Sequence, residues 1–312
     1  MTQDSAASLL PDVVRRVGRL EVRARYVVEG FLSGLHRSPY FGQSLEFREH
    51  RQYTRGDDLR HVDWKVWARQ DRLYVKQYEE DTNLRALMLV DQSASMAYGE
   101  GPLSKHEYAA TLASALAYLL LRQNDAVGCM TFADGVVGLA PPRSSKRRLT
   151  AIADLLRAEP AGQVSDIGGA ATAAAAQIPR RGMVVLISDL FADPAGLDRG
   201  LRQLHLKGHD LVVLQLLDDD ELDFPFNRAS RFEGLESNKH LACNPRALKA
   251  NYLQAMERFL NETRRICLAN RADYQLVRTS SSFDAVLTAL LSRRQLRSRS
   301  RDRASPPTGA PS

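Results

Sequence analysis

From Leu84 onward, short aliphatic runs alternate with longer segments whose apolar residues recur at helical spacing. Continuous apolar character over a few residues is typical of strands that are buried on both faces. This pattern predicts strands at 84–91, 126–132, 183–187, 211–217 and 274–277. It predicts helices at 105–122, 145–158, 169–178, 194–207, 245–269 and 282–292, and Asp134-Gly135 predicts a turn into a short antiparallel strand at 136–139. Strands and helices that alternate in this way predict an α/β fold with a doubly wound, mostly parallel sheet and helices on both faces.

The chain before Leu84 has a different pattern. Residues 8–35 carry two amphipathic patches that predict core-facing helices. Residues 36–83 interleave aromatic side chains with dense charges of both signs, and their alternation predicts two strands. We therefore expect an N-terminal extension at 1–83, an α/β domain at 84–292 with an insertion at 218–244, and a disordered basic tail at 293–312.

The composition is that of a globular protein, with 44% hydrophobic and 26% charged residues. The net charge of +6 is concentrated in the tail, where six arginines and one aspartate follow Ser292. The remainder is nearly neutral, which argues against a charge-driven nucleic-acid surface on the folded part. The sequence shows no signal-peptide pattern and no apolar run near the ~18 residues that span a bilayer, so we expect a cytoplasmic location.

Hydroxyl and carboxylate side chains are concentrated in three predicted loops. Asp91, Ser93 and Ser95 follow the first strand, Ser165 and Asp166 precede the Ala-rich helix, and Ser188 and Asp189 follow the strand at 183–187. Open α/β sheets place their ligands at the carboxyl ends of the strands, so these loops are expected to meet at one rim.

Hard oxygen donors of this kind suit Mg²⁺ or Mn²⁺. Ser93, Ser95 and Ser165 are candidate direct ligands, while Asp91 and Asp189 are candidates for holding coordinated waters. Such a set leaves one coordination position for an outside carboxylate. The alternative is that the two aspartates only cap the helices that follow them.

These loops resemble the metal-ion-dependent adhesion site of von Willebrand factor A domains, in which Asp-x-Ser-x-Ser is joined by a later Thr or Ser and then by an Asp. The positions that match are Asp91, Ser93, Ser95, Ser165 and Asp189. Thr is the more frequent residue at the position of Ser165, and the serine hydroxyl keeps the same donor atom.

A broader resemblance covers residues 33–290. It rests on Gly42, Glu46-Phe47, Arg51-x-Tyr53, Gly56-Asp57-Asp58, Arg60, Asp63-Trp64-Lys65, Ala68-Arg69, Asp91-x-Ser93-x-Ser95-Met96, Ile187-Ser188-Asp189 and Phe232-Glu233-Gly234-Leu235-Glu236. This combination is similar to that of the bacterial domain of unknown function 58 family. The resemblance implies a von Willebrand factor A-type fold and, because such proteins are commonly encoded beside MoxR-type AAA+ ATPases, a partner of that class.

The expected function is that of a non-enzymatic, metal-dependent binding module or adaptor, chaperone-like in that its ATPase partner would assemble or remodel a client protein. We expect partner contacts from Asp166, Arg55, Asp58, Arg60 and Trp64.

Two alternatives stay open. A phosphatase-like metal-dependent hydrolase would use Asp91 as its nucleophile, although Ser93 stands where haloacid-dehalogenase-like phosphatases carry a second aspartate. The arginine-rich tail would bind polyanions or an anionic membrane surface loosely.

Overall fold

The computed structural model describes residues 9–35, 51–52, 74–75, 84–99, 101–145, 147–160, 164–179, 181–226, 230–233, 240–243 and 245–292. The chain forms two compact units. One contains residues 1–34 together with 84–312, and the other contains residues 35–83. The predicted N-terminal extension is therefore divided between the two units.

The larger unit is built on a six-stranded sheet. Its strands are β3 (Arg85–Asp91), β4 (Ala126–Phe132), β5 (Val136–Arg143), β6 (Met183–Ser188), β7 (Asp210–Leu217) and β10 (Asp273–Arg278). The strands are numbered in chain order, and the remaining four form two short antiparallel pairs that are described below. The strand order is β10-β7-β6-β3-β4-β5, and every neighbouring pair is parallel except β4 with β5. The prediction of a doubly wound, mostly parallel α/β sheet is confirmed.

Nine helices are described in the larger unit: two precede the sheet, six lie in the connections between its strands, and one follows the last strand. They are α1 (Pro11–Arg15), α2 (Leu20–Leu35), α3 (Lys105–Arg122), α4 (Arg148–Leu156), α5 (Ile167–Gln177), α6 (Pro194–Leu206), α7 (Asp219–Asp223), α8 (Pro245–Ala269) and α9 (283–292). Among the described helices, none has both the length and the apolar character needed to cross a bilayer.

The central strands β3, β4, β6 and β7 are buried on both faces, which explains their continuous apolar runs in the sequence. Leu87 and Leu89 of β3 pack with α5, α6 and the end of α8 in one core cluster. Met88 and Val90 point to the opposite face and are buried as well, where α3 covers the central strands. Packing on both faces therefore fixes the register of β3, and with it the position of Asp91 at the end of the strand.

The two N-terminal helices belong to the larger unit because their apolar stripes are buried in it. Leu9, Val14 and Phe31 are buried, and the Phe283 backbone N–H at the start of α9 donates to the Leu9 carbonyl. Arg23 of α2 also donates to the Thr111 hydroxyl of α3. Both helices within 9–35 therefore turn apolar residues toward the core of the larger unit.

Two short antiparallel strand pairs complete the described structure. In the smaller unit, β1 (Arg51–Gln52) pairs with β2 (Tyr74–Val75) in antiparallel fashion. In the larger unit, the predicted insertion contains α7 and a second antiparallel pair, β8 (Ser230–Glu233) with β9 (His240–Cys243).

Candidate metal site

Asp91 is the centre of a buried hydrogen-bond network at the carboxyl end of β3. Its Oδ1 accepts the Ser93 backbone N–H at 2.8 Å. Its Oδ2 accepts two hydroxyls, from Ser165 at 2.7 Å and from Ser188 at 2.6 Å. The carboxylate is fully buried. Burial and then the nearby charge of Asp189 raise the pKa of Asp91, while these hydrogen bonds limit the rise.

The first loop also places two hydroxyls side by side. Ser93 Oγ and Ser95 Oγ are 3.1 Å apart and both residues are buried. Adjacent ligands of an octahedral ion with ~2.1 Å bonds are separated by about 3.0 Å, so this spacing fits two neighbouring positions around Mg²⁺. A short 3₁₀ turn at Ala94–Ala97 holds the pair, because the Met96 N–H donates to the Ser93 carbonyl.

The second loop is fastened to the first through the end of β4. The Gln92 N–H donates to the Phe132 carbonyl at 2.7 Å, and the Asp166 N–H donates to the next carbonyl, that of Ala133, at 2.6 Å. These two backbone bonds bring Ser165 within reach of Asp91. Ser165 itself is buried.

Asp166 caps the helix that follows the second loop. Its Oδ1 accepts the Gly169 N–H at 2.8 Å, and its side chain is exposed. A Cβ on residue 169 would lie 2.1 Å from Asp166 Oδ2, so any larger residue there would displace the capping carboxylate. The preceding Val164 is 54% exposed, which places one apolar and one acidic side chain beside the buried hydroxyls.

The third loop begins with Ser188, which links two loops. Its hydroxyl donates to Asp91 and accepts the Leu190 N–H at 2.9 Å. Leu190 has a φ of 63°, an unfavourable left-handed conformation for a branched side chain. Asp189 Oδ1 accepts the Phe191 N–H at 3.2 Å, and Gln215 of β7 donates to the Asp189 carbonyl. The loop is therefore held in place by side chains from two strands.

A buried lysine completes the site. Lys105 Nζ, at the first turn of α3, donates to Asp189 Oδ2 at 2.8 Å and to Glu221 Oε1 of α7 at 2.6 Å. Lys105 and Asp189 are both fully buried. Burial lowers the pKa of Lys105, but the charges of Asp189 and Glu221 outweigh that effect and the net shift is upward. The ammonium therefore stays charged at neutral pH.

The donor chemistry of the network fits a hard divalent cation. Ser93, Ser95 and Ser165 present hydroxyl oxygens, and Asp91 and Asp189 present carboxylates close behind them. Within the described part of the chain, no three or more His, Cys, Asp or Glu residues cluster as metal ligands. Any ion held here would therefore depend on the serine hydroxyls.

Comparison with known proteins agrees with the sequence motifs. Residues 49–261 match the family described as "Protein of unknown function DUF58". The chain belongs to the DUF58 family. Relatives that are 30% identical over 219 residues include Uncharacterized protein Mb1516 of Mycobacterium bovis and Uncharacterized protein Rv1480 of Mycobacterium tuberculosis. The matched region covers 69% of this chain and 68% of each relative.

Solved structures with similarity to this DUF58 chain include BatB from Bacteroides thetaiotaomicron, at 19% identity and a TM-score of 0.45 over 67% of this chain and 97% of that one. An aerotolerance-related membrane protein from Bacteroides fragilis has 20% identity and a TM-score of 0.46 over 66% and 96%. The SpRpn10 VWA domain has 12% identity and a TM-score of 0.39 over 65% and 94%. The fold assignment depends on the strand order described above.

The five residues predicted for the metal site of this DUF58 chain lie close to one another in the structure. The structure links Asp91 to Ser165 directly, places Ser93 beside Ser95, and puts the charge of Asp189 near that of Asp91. Both aspartates also accept a backbone N–H two residues ahead, but Asp91 has further partners that helix capping does not require.

Three groups that take part in the hydrogen-bond network of the site were not among the predicted ligands. They are Lys105, Glu221 and the bridging hydroxyl of Ser188. A cation in the first turn of an apolar helix is unfavourable for the helix dipole, and this was the available signal for Lys105. The predicted partner contacts Arg55, Asp58, Arg60 and Trp64 lie outside the described residues.

Proposed function

We propose that this chain is a metal-dependent protein-binding module that captures a Glu or Asp side chain from a partner. Ser93, Ser95 and Ser165 would hold the ion, with Asp91 and Asp189 behind them. When bound, Mg²⁺ or Mn²⁺ would supply an open coordination position for the partner's carboxylate. The residues of the chain contribute by orienting the hydroxyls and excluding water from the carboxylates.

The observation that carries this proposal is the 3.1 Å pair of serine hydroxyls beside a buried aspartate. Buried hydroxyls and carboxylates are costly unless they are paired. Here the Asp91 carboxylate accepts the Ser165 and Ser188 hydroxyls, and backbone N–H groups of the first and third loops bond to Asp91, Ser188 and Asp189. The exposed neighbours Val164 and Asp166 would provide contact area around the ion.

The same geometry disfavours hydrolysis by an Asp91 nucleophile. Both carboxylate oxygens of Asp91 already accept hydrogen bonds, and the residue is fully buried. Among the described side chains that hydrogen-bond to the site, the only nitrogen base is Lys105, whose ammonium is held by two carboxylates. We therefore favour binding over catalysis.

A MoxR-type AAA+ ATPase is the proposed partner class, because the sequence resembles a family whose members are commonly encoded beside such ATPases. A module of this kind would present a client to the ATPase or hold the ATPase to a target. The basic tail remains a candidate for loose polyanion contact.

The test uses isothermal titration of the full chain with Mg²⁺ and Mn²⁺, followed by capture of a purified MoxR-type ATPase with and without chelator. We expect Asp91→Asn to lose both cation and partner binding. The matched control is Asp154→Asn, which changes an exposed aspartate in α4 that pairs with Arg157. Equal capture by wild type and Asp91→Asn, or capture that chelator does not reduce, would contradict the metal bridge.

A further variant, Asp166→Asn, tests the rim. Asp166→Asn should keep the helix cap, because Asn caps as well as Asp, while it removes the exposed charge. Loss of partner binding with unchanged cation affinity would assign Asp166 to the partner contact. Unchanged partner binding would leave it with its capping role alone.

A further inference from the structure

Lys105 occupies an unfavourable position for a cation. It is fully buried, and it lies in the first turn of α3, where the helix dipole disfavours positive charge. Ser104 and Glu107 already satisfy the helix start through a capping box, so the lysine is not needed as a cap. A buried charge of this kind persists only when its partners hold it firmly.

Those partners connect two separate parts of the site. One N–H of the ammonium goes to Asp189 behind the proposed ion, and another goes to Glu221 of α7, 116 residues further along the chain. The ring of Phe191 lies 5.2 Å from Nζ and adds a cation–π contact. Tyr252 of α8 holds the other side of Glu221 by donating to its backbone carbonyl at 2.8 Å.

We propose that Lys105 is a positioning residue with two roles. It holds the Asp189 carboxylate behind the serine hydroxyls, where Asp189 does not bind the ion directly, and it docks the segment 218–226 against the metal site. This inference rests on the proposed function for its metal-binding part. Because the lysine and Glu221 carry opposite charges beside the same site, they set the affinity for a cation in opposite directions. The ion pair thereby couples occupancy of the metal site to the docking of α7.

The direction of each effect follows from charge alone. Replacing Lys105 by Met removes a positive charge that repels the cation, so the cation binds more tightly. Replacing Glu221 by Gln removes a negative charge, so the cation binds more weakly. At short range inside a protein one unit charge changes cation affinity on the order of tenfold.

The docking of 218–226 should respond in the same direction to both substitutions, unlike the cation affinity, because either one breaks the Lys105–Glu221 contact. Both variants should therefore increase amide hydrogen exchange across 218–226. The double variant Lys105→Met/Glu221→Gln removes both charges, so its cation affinity should return toward that of wild type while its exchange stays raised.

The experiment measures Mn²⁺ affinity by calorimetry and exchange at 218–226 by mass spectrometry on the full chain. Arg202→Met, which breaks an exposed ion pair with Asp198, is the matched control and should change neither quantity. Far-UV circular dichroism checks that each variant is folded. Lys105→Met and the double variant both leave the buried Asp189 without its ammonium partner. If they do not fold, Glu221→Gln, which keeps the Lys105–Asp189 pair, still tests both the cation affinity and the exchange at 218–226.

The outcomes separate the two proposals. Opposite shifts of Mn²⁺ affinity in the two single variants, together with raised exchange in both, would support the role of Lys105. Shifts in the same direction, or unchanged exchange at 218–226, would overturn it. Absence of Mn²⁺ binding by wild type would overturn the proposed function, while the exchange measured without metal would still decide the docking role.

Discussion

Ser188→Ala removes one hydroxyl that performs two tasks in the candidate site. The hydroxyl donates to Asp91 at 2.6 Å and accepts the Leu190 N–H at 2.9 Å, and all three residues are buried. Alanine fills nearly the same volume, so the perturbation is the loss of two hydrogen bonds and not a cavity.

The expected cost follows from those two bonds. A hydrogen bond to a charged group contributes about 1.5–3 kcal/mol, and a buried N–H left unpaired costs about 1–3 kcal/mol. Asp91 keeps the Ser93 N–H and the Ser165 hydroxyl, so we expect the lower end of the sum, about 3 kcal/mol. Because Leu190 has a left-handed backbone that Ser188 helps to hold, relaxation of this loop would reduce the cost. The melting temperature should fall by about 6–12 °C.

Far-UV circular dichroism is the appropriate probe for thermal and urea unfolding. The effect of Ser188→Ala on cation affinity is measured by titration with Mn²⁺. Loss of a residue that orients a metal-site carboxylate should weaken cation binding about 10-fold or more.

Ser114→Ala is the matched control. Ser114 is also fully buried, in α3, and its hydroxyl has no hydrogen-bond partner among the described residues. Its removal should leave stability unchanged or raise it slightly. If Ser188→Ala is no more destabilising than Ser114→Ala, the hydrogen-bond network around Asp91 does not stabilise the loops as argued.

Three further predictions concern the scaffold around the site. Burial lowers the pKa of His106, whose Nε2 contacts the Leu156 carbonyl while Nδ1 has no hydrogen-bond partner among the residues that the structure describes. Because the pKa is lower in the folded state, the stability that neutral His106 contributes is present above the unfolded value near 6.5 and is lost as the pH falls. Urea unfolding at a series of acidic pH values should therefore show that His106→Gln loses less stability than wild type, by up to about 1.4 kcal/mol per pH unit; parallel curves would contradict this assignment. Gly200→Ala should destabilise the protein by about 1–3 kcal/mol, because a Cβ there would lie 2.9 Å from Ala171 Cβ. In the same helix, a Cβ at Gly196 would meet nothing closer than 3.5 Å, so Gly196→Ala should be neutral or stabilising. Thermal unfolding followed by circular dichroism compares the two variants. Burial raises the pKa of the Cys129 and Cys267 thiols to about 12, so in a Cys243→Ser protein neither should react with an aromatic disulfide reagent until the protein unfolds. Rapid labelling of that variant in its native state would show that the core around the two thiols opens.

Much of the fold could be predicted because local signals agreed with the tertiary structure. The bounds of α3 and α8 match the predicted ranges, since the capping serine at Ser104 and the proline at Pro245 mark where those helices begin. The three loops were predicted to meet because parallel strands end at one rim, and the structure brings Asp91 into contact with Ser165 and Ser188.

Other features depended on contacts that no local pattern records. The strand β5 runs to Arg143, four residues beyond the prediction, although it contains Pro141 and Pro142. Proline is tolerated there because β5 is an edge strand, paired with β4 alone. The pairing of Lys105 with Glu221 could not be foreseen either, because the two residues are 116 positions apart and Glu221 lies in a segment interpreted only as an insertion.

The separation of the site residues along the chain has a kinetic consequence. The hydroxyls that reach Asp91 come from residues 74 and 97 positions away, and the loops that carry them meet only after β3 has paired with β4 and with β6. Such long-range parallel pairing is slow and completes late in folding. The cation site would therefore be largely unformed in the folding transition state, and a cation would bind that state only weakly. It would leave the refolding rate nearly unchanged and slow unfolding instead, so that the bound ion would lengthen the lifetime of the native state.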